Sequence, residues 1–285
     1  MEMVLSVGVD VFLITMMLAL AAFGLAIIFG LVGVINMGHG AMLTLGAYFA
    51  WWTTSVAGVP FPIAVILAAL GVALIGLVWE HVVIRHFYDR PFDTLLLTWA
   101  FFLVSTEIVK IVFGSDFRGI DNPIPGSVLI AGVDVPAYRG LIALLSLALI
   151  VATAFVIFRT NLGIRIRALI QNREVASLLG LNISMTYKLV FCFGAGMAGL
   201  AGALIAPVLS IDPYIGNIFL VRSFFVVIVG EIGQLLGGTL LGSFFVGGTE
   251  TLFALFSDQV VAQTIVFLVA IVILRFRPSG LLKSK

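Results

Sequence analysis

The feature that most constrains this chain is the recurrence of long apolar segments from one end to the other. Runs of roughly 17–25 apolar residues are each long enough to cross about 30 Å of hydrocarbon as an α-helix. The chain is 62% hydrophobic and only 10% charged, whereas soluble domains carry about 25% charged residues. The sequence therefore predicts an all-α integral membrane protein in which residues 1–285 form one transmembrane domain.

The apolar segments divide the chain into about nine candidate membrane-spanning helices, within a range of eight to ten. These segments are residues 11–32, 38–56, 62–80, 94–113, 140–158, 187–206, 217–232, 238–256 and 260–275. The count depends on residues 217–256, where glycines together with Arg222 and Glu231 interrupt the apolar pattern, as in a broken or re-entrant helix. We predict a polytopic bundle.

Basic residues are unevenly distributed among the loops, which predicts the orientation. They concentrate in three hydrophilic segments: Arg85 and Arg90; Arg159, Arg165, Arg167 and Arg173; and Arg275, Arg277, Lys283 and Lys285. Lysine and arginine mark cytoplasmic loops, so these segments and the C-terminus are placed inside. The N-terminus and an external loop at about residues 114–139 are more acidic and are placed outside. The opening residues lack the basic region of a cleavable signal, so we expect the first apolar segment to be retained.

Composition argues against several kinds of chemistry. The chain shows no phosphate-binding glycine motif, so any energy from ATP would come from a partner chain. It contains one cysteine, Cys192, and three histidines, of which His39 is distant in sequence from His81 and His86. That set suggests neither a disulfide, a metal site nor a catalytic dyad. We expect no metal, no cofactor bound by this chain and no enzymatic activity.

Small residues recur at four-residue spacing in the sixth candidate span, within the stretch GAGMAGLAGA. They form two adjoining ridges: Gly194, Ala198 and Gly202; and Ala195, Gly199 and Ala203. Because such ridges let neighbouring backbones approach closely, we predict that this helix is tightly packed by its neighbours.

A loop at about residues 160–186 is predicted to contain a short helix outside the membrane. Asn172 can cap its start, Glu174 lies in its positive first turn, and Gly180 provides a C-terminal stop. This pattern indicates a helix that forms independently of the membrane spans.

The apolar face of this short helix has two interpretations. Val175, Leu178 and Leu179 recur at helical spacing, and basic residues flank them: Arg165, Arg167 and Arg173. A small hydrophobic face in a basic setting suits the docking of a partner protein. The same pattern suits an amphipathic helix that lies on the anionic inner leaflet. The residues alone leave both interpretations open.

Six segments resemble, in the same order, those of the permease subunits of ABC importers of the branched-chain amino acid and urea family. They are GLAIIFGLVGVINMGHGAMLTLGAY, VIRHFYDRPFDTLLLTW, RIRALIQNREVASLLGLN, GAGMAGLAGALIAPV, FFVVIVGEIGQLLGGTLLG and RPSGLL, and together they extend over nearly the whole chain. The resemblance implies a multi-pass permease of the bacterial inner membrane that performs no covalent chemistry.

The resemblance also implies partners. These are a second, homologous permease that completes a heterodimer, two cytoplasmic ATPase subunits that use ATP, and an external solute-binding protein; the lipid bilayer surrounds the chain, and nucleic acid has no role. The loop around residues 163–182 would be the coupling helix that fits the ATPase, through Arg173, Glu174, Val175, Leu178, Leu179 and Gly180. The binding protein would contact the external loop and the 207–217 turn, at Asp121 and Asp212.

Within the family, the segments GLAIIFGLVGVINM and IRHFYDRPFDTLLLTW look closer to the urea branch. The urea pattern usually has Ala, His, Gly and Glu where this chain has Gly38, His39, Gly40 and Ala41, and it usually has a Gly–Gly pair where this chain has Gly230 and Glu231. Urea or a short amide is the first expectation for the substrate. A branched-chain or other hydrophobic amino acid is the alternative.

The stretch NMGHG places polar groups between apolar segments. Asn36 and neutral His39 each offer a donor and an acceptor, which suits an uncharged amide or a zwitterion. Gly38 and Gly40 would let the backbone break its helix and turn polar groups toward a cavity. We predict that these four residues line the substrate pathway, with Trp99 as a wall or as packing. In the other interpretation, Asn36 caps the second span and His39 lies at the cytoplasmic interface.

Charged residues inside the apolar segments need partners, because an isolated charge at the bilayer centre costs several kcal/mol. Glu107 and Lys110 are three residues apart and are predicted to form a local ion pair. Arg222 and Glu231 are predicted to lie near interfaces. Glu250 lies in an apolar stretch, so a role in the pathway or in a subunit contact is predicted for it.

Two functions of other classes are alternatives to an importer subunit. A stand-alone secondary transporter or channel would use a membrane carboxylate for ion coupling, and Glu250 is the candidate. A membrane-embedded enzyme would need a dyad or a metal set, which this composition does not suggest.

Overall fold

The structure is a computed structural model that describes residues 2–130, 132–230 and 235–276. Glu231, Arg277, Lys283 and Lys285 lie outside the described residues, as does the closing RPSGLL segment. The described helices are α1 (Glu2–Val32), α2 (His39–Trp51), α3 (Phe61–Val82), α4 (Pro91–Phe113), α5 (Ala137–Arg159), α6 (Asn161–Gln171), α7 (Arg173–Leu178), α8 (Ile183–Ile205), α9 (Ile215–Val229), α10 (Gly237–Ala254) and α11 (Gln259–Phe276).

Prolines and glycines set several helix ends. Pro91 is the first residue of α4, a position at which its missing N–H needs no helical partner. Gly114 ends α4 with a φ of 83°, a left-handed conformation that glycine adopts at little cost. A π-helical turn, Trp52–Val56, extends α2, and Gly58, with a φ of 68°, then reverses the chain toward α3.

Each of the nine predicted spans falls on an α-helix, and α6 and α7 are additional. In the described residues, α1, α3, α4, α5 and α8 are long and apolar enough to cross a membrane. α2 has 13 residues before its π-helical turn, and α9 has 15, fewer than the ~20 residues of a full crossing. The predicted helical bundle is confirmed, whereas nine crossings remain a prediction.

A β-hairpin in the loop between α4 and α5 corrects the expectation of an all-α chain. Strand β1 (Ser127–Ile130) pairs antiparallel with β2 (Val133–Pro136), so that Val128 lies opposite Val135. Gly132 between the strands has a φ of 87°, which suits a tight turn. Valine-containing segments on either side of a glycine were the signal for this hairpin, which hydropathy over long windows does not detect.

Helix α8 is the centre of the bundle and packs against α1, α2 and α3. Its small residues are what allow this packing. A Cβ on Gly199 would lie 2.6 Å from Cβ of Val72 on α3. A Cβ on Gly194 would lie 2.9 Å from the carbonyl oxygen of Gly24 on α1. The predicted close packing of this helix is confirmed.

The bundle has two distinct ends. At the hairpin end, the Arg118 N–H donates to the Ile211 carbonyl and the Ile211 N–H donates to the Arg118 carbonyl, both at 2.8 Å, so the α4–α5 and α8–α9 connections lie together. At the opposite end, called here the α7 end, an apolar cluster joins α6, α7 and α8 to the end of α1 and the α3–α4 connection; its members include Val32, Tyr88, Leu169, Ala176 and Tyr187.

Candidate functional site

The segment between α1 and α2 turns back into the bundle. α1 ends at Val32, and Gly33 follows with a φ of 77°. His39, the first residue of α2, donates from Nε2 to the carbonyl oxygen of Ala21 at 2.8 Å. Ala21 precedes the end of α1 by eleven positions, which corresponds to about 16 Å along the helix. α2 therefore begins inside the bundle, as do the discontinuous helices that form substrate sites in transporters.

The break between α1 and α2 lies earlier in the chain than predicted. The left-handed residue is Gly33, whereas Gly38 has a φ of −70° and Gly40 lies within α2. A Cβ on Gly40 would lie 2.7 Å from the carbonyl oxygen of Gly216 on α9, and a Cβ on Gly38 would lie 2.8 Å from Cδ1 of Phe101 on α4. Both glycines are therefore needed for close packing around the start of α2.

Thr98 of α4 fixes the non-helical segment in place. Its hydroxyl oxygen accepts a hydrogen bond from the Met37 N–H at 3.0 Å and lies 3.2 Å from the Ile35 carbonyl oxygen. Thr98 is not among the residues predicted for the pathway, although a threonine in an apolar span was the available signal. The neighbouring Trp99 does not share this position, since it is 39% exposed and stacks on Phe102 with ring centroids 5.4 Å apart. Its geometry favours packing over a wall of the pathway.

Asn36 and His39 are both completely buried. The Asn36 amide nitrogen donates to the Met42 sulfur at 3.8 Å, while Asn36 Oδ1 and His39 Nδ1 have no hydrogen-bond partner in the described residues. The residue preceding α2 is Gly38, and no side chain caps the helix. The interpretation of Asn36 as a helix cap, with His39 at an interface, is therefore wrong. What remains is a pair of buried, unpaired acceptors beside a helix start.

Glu250 has a partner that the sequence analysis did not assign. Arg222 Nη2 on α9 donates to Glu250 Oε1 on α10 at 2.7 Å, and the two side chains are only 10% and 8% exposed. Arg222 is thus buried against a neighbouring helix in an ion pair that the sequence did not predict, while its expected place near an interface stays a prediction. Pairing offsets much of the cost of placing either charge within the bundle.

A cavity of about 460 Å³ opens beside this ion pair, toward the hairpin end. Its walls come from α1, α5, α9, α10, α11 and the α8–α9 connection. The charged lining residues are Asp10, Arg139, Asp212, Arg222 and Glu250, and the apolar ones include Leu13, Ile14, Ile142, Val208, Ile218 and Phe219. The cavity therefore combines charges of both signs with an aliphatic surface.

Helix α9 lies between this cavity and the start of α2. Ile215 and Phe219 border the cavity, while Gly216 faces α2, where its N–H donates to the Thr44 hydroxyl at 3.1 Å. The predicted pathway residues thus form two groups. Glu250 belongs to the cavity, whereas Gly40 in the NMGHG stretch packs against Gly216 of α9.

The two residues predicted to meet a binding protein both lie at the hairpin end. Asp121 is exposed in the α4–α5 connection. Asp212 accepts a hydrogen bond from the Tyr214 N–H at 2.6 Å, which shapes the turn into α9. Nearby, Lys110 Nζ donates to Glu107 Oε1 at 2.8 Å, so the predicted local ion pair is confirmed.

The short helix predicted outside the membrane spans is confirmed as α7. Asn172 Oδ1 accepts from the Val175 N–H at 3.0 Å, and Gly180 follows the helix with a φ of 80°. Leu178 is 87% exposed and Leu179 is 74% exposed. Val175 is also exposed, as is Glu174 in the first turn, and the Arg173 side chain lies outside the described residues.

Helix α6, which precedes α7, was not anticipated. The Thr160 hydroxyl accepts from the Gly163 N–H at 3.3 Å and so caps its start. The signal was a threonine directly before NLGIRIRALIQ, whose apolar residues recur at helical spacing. Together α6 and α7 form a helical platform at the α7 end of the bundle.

These features define a polytopic helical membrane protein of the transport class. It has a helix that begins inside the bundle, an ion-paired cavity at one end and exposed leucines at the other. Within the described ranges, no group of three or more His, Cys, Asp or Glu side chains is placed to hold a metal ion.

The chain belongs to a known permease family. The sequence profile described as "Branched-chain amino acid transport system / permease component" matches residues 8–274. The chain is similar to the high-affinity branched-chain amino acid transport system permease protein BraD of Pseudomonas aeruginosa, with 26% identity over 93% of this chain and 91% of that protein. It is 24% identical to LivH of Escherichia coli K12, over 93% and 90% of the two chains.

A more distant organism supplies a third relative. This is the probable branched-chain amino acid transport permease protein LivH of Methanocaldococcus jannaschii, which is 23% identical over 83% of this chain and 76% of that protein. No solved structure matches this chain. The three relatives give no support to the urea branch.

Proposed function

We propose that this chain is the membrane-spanning permease subunit of a binding-protein-dependent ABC importer for branched-chain or other hydrophobic amino acids. The observation that carries this proposal is the family match over residues 8–274, together with relatives of that transport function over most of the chain. In this role the chain performs no covalent chemistry and binds no cofactor, since partner ATPases hydrolyse the ATP.

The proposed topology has nine crossings, with the N-terminus outside and the C-terminus in the cytoplasm of a bacterial inner membrane. The distribution of charge between the hairpin end and the α7 end supports this topology. The α3–α4 connection and the α6–α7 platform carry arginines without a balancing number of acids, whereas the hairpin end carries Asp116, Asp121 and Asp134. The hairpin end then faces outward and the α7 end faces the cytoplasm.

Helix α7 is the proposed contact with the ATPase. Leu178 and Leu179 are largely uncovered, although Ala176 of the same helix is buried in the α7-end cluster. Helix α7 is therefore held in the bundle through Ala176 while its two leucines stay available to a partner. Burial of these leucines against the ATPase would stabilise the complex by about 1.5–3 kcal/mol each. A protein partner for α7 accounts for its packing against the bundle better than a position on the lipid surface.

The remaining partners follow from the same scheme. An external binding protein delivers the solute to the hairpin end, where the connections carrying Asp121 and Asp212 are joined by the Arg118–Ile211 pairing. A second, homologous permease completes the membrane channel.

The cavity favours an amino acid over urea. Aliphatic residues from α1, α5 and α9 line it beside charges of both signs, and a hydrophobic amino acid offers both an aliphatic side chain and a zwitterion. Urea is small and neutral, so it has no apolar group for the aliphatic lining and no charge for the charged side chains. This comparison and the relatives agree on the substrate class.

The decisive experiment is uptake of labelled leucine and labelled urea by the complete transporter in proteoliposomes. We expect leucine accumulation that requires ATP, the binding protein and this chain. Vesicles made without this chain provide the control. Uptake of urea but not leucine would assign the chain to the urea branch, and accumulation without ATP would indicate a secondary transporter.

A further inference from the structure

We propose that the cavity at the hairpin end holds the zwitterionic head group of the substrate, with Arg222 binding the carboxylate and Glu250 binding the ammonium. This inference rests on the proposed function and adds to it a site, two specificity-determining residues and the charge state that they select. It also explains why a buried ion pair is placed at a cavity wall.

Arg222 borders the cavity and has unused hydrogen-bonding capacity. A guanidinium carries five N–H donors, and Nη2 is the donor to Glu250. Nε is buried and has no partner among the described residues, although Arg222 borders the cavity. A buried donor without a partner is costly, and a carboxylate that accepts two parallel guanidinium bonds would satisfy it.

The ion pair can exchange with a zwitterion without a change in net charge. In the empty cavity, Arg222 and Glu250 neutralise each other. An amino acid brings one charge of each sign, so its insertion between them makes two new ion pairs and leaves no charge uncompensated. A substrate analogue with only one of the two charges would leave one protein charge unpaired in a largely buried site, which is strongly unfavourable.

The rest of the cavity fits the same class of ligand. Leu13, Ile142 and Phe219 supply apolar surface from three different helices. The volume of about 460 Å³ lies within the ~300–1,000 Å³ typical of small-molecule sites. Beyond the ion pair, the walls carry two carboxylates, Asp10 and Asp212, against one guanidinium, Arg139, and this excess of negative charge favours entry of the ammonium end of the ligand.

A labelling experiment on the assembled transporter tests the site without its binding protein. Gln263→Cys places a thiol on the cavity wall, in a background that carries Cys192→Ser. We expect millimolar leucine to slow its modification by a polar thiol reagent. Leucinamide, which lacks the carboxylate, and 4-methylpentanoate, which lacks the ammonium, should give no protection. Phe256→Cys, an exposed control position outside the cavity, should react equally with or without leucine.

Charge-neutralising variants assign the two roles. Arg222→Gln and Glu250→Gln should each raise the leucine concentration for half-protection by about tenfold or more, since each removes a charge-assisted hydrogen bond. Glu107→Gln is the matched control, because it breaks an ion pair of similar length on α4 that does not border the cavity. If Arg222→Gln fails to assemble, Arg222→Lys keeps a charge for Glu250 but cannot form two parallel bonds, and it should also weaken protection.

The outcomes separate this inference from the proposed function. Normal leucine uptake without protection of Gln263→Cys would overturn the site and leave the importer assignment intact. Equal protection by leucine and leucinamide would likewise overturn the role of Arg222. Protection that is unchanged in the assembled Arg222→Gln transporter would show that the ion pair only stabilises the fold. Uptake of urea without uptake of leucine would overturn the proposed function itself.

Discussion

The hydroxyl oxygen of Thr98 lies 3.0 Å from the backbone nitrogen of Met37 and links two parts of the chain that are 61 residues apart. This bond holds the non-helical segment against α4 at the point where the chain turns back toward the start of α2. The depth at which α2 begins therefore depends on a side chain of another helix. A change at Thr98 should affect the candidate pathway without touching any of its predicted residues.

Replacing Thr98 by valine should destabilise the protein by about 1 kcal/mol, because the partly buried Met37 N–H loses its acceptor. Thermal unfolding of the purified transporter in detergent would measure this. Thr106→Val is the matched control, since the Thr106 hydroxyl bonds only to Phe102 of its own helix, at 2.9 Å. Equal stability of the two variants would show that the Thr98 bond does not fix the segment.

Asn36→Ser should reduce uptake sharply while assembly persists, because serine is too short to present its oxygen where Oδ1 now lies. Asn36→Asp should reduce uptake further, since it would add a charge at a completely buried position. His39→Gln should be milder if hydrogen bonding is what matters, because glutamine keeps a donor and an acceptor. Uptake of leucine and urea, normalised to assembled complex, is the measurement. Near-normal uptake by Asn36→Asp would remove Asn36 from the pathway.

Leu178→Asp should uncouple ATP hydrolysis from transport, because it places a charge at the tip of α7. We expect uptake to fall about tenfold or more, which corresponds to about 1.4 kcal/mol of lost coupling, while the permease still inserts. Leu178→Ile, which keeps an apolar side chain of the same size at the same position, is the control. Transport at the normal rate, with ATPase activity still stimulated by loaded binding protein, would favour a lipid-surface role for α7.

Cysteines at the two ends should react from opposite sides of the membrane. Ser127→Cys lies on β1 and Ser177→Cys lies on α7, and both positions are exposed. In a Cys192→Ser background, an impermeant thiol reagent applied to intact cells should label the first position only, and both should react after lysis. Labelling of Ser177→Cys in intact cells would reverse the proposed orientation.

Local features of the fold could be predicted from the sequence. Asn172 and Gly180 bound α7 because a cap and a stop act within a few residues, and the Glu107–Lys110 pair forms because the two residues share a helix face. Hydropathy located the nine apolar helices for a similar reason. The hairpin escaped this approach, since a short two-stranded element in a loop carries no signal of hydropathy.

Contacts between distant helices could not be predicted from the sequence. Arg222 and Glu250 were each recognised as costly charges, yet the pairing depends on how α9 and α10 are placed in space. Thr98 was missed for the same reason, since its partner lies 61 residues away. Asn36 was recognised as unusual, but the choice between a cap and a buried acceptor required the position of the start of α2.

The pairing of Arg222 with Glu250 also bears on how the chain enters the bilayer during synthesis. A single arginine at the centre of a helix, the position of Arg222 in α9, opposes insertion of that helix by about 2.5–3.5 kcal/mol, and α9 has only 15 residues to offset this. Because α9 and α10 are adjacent in sequence and neutralise each other, their partition into lipid is most favourable as a hairpin. We therefore expect α9 to enter the bilayer only after α10 has been synthesised, so that the two helices insert together.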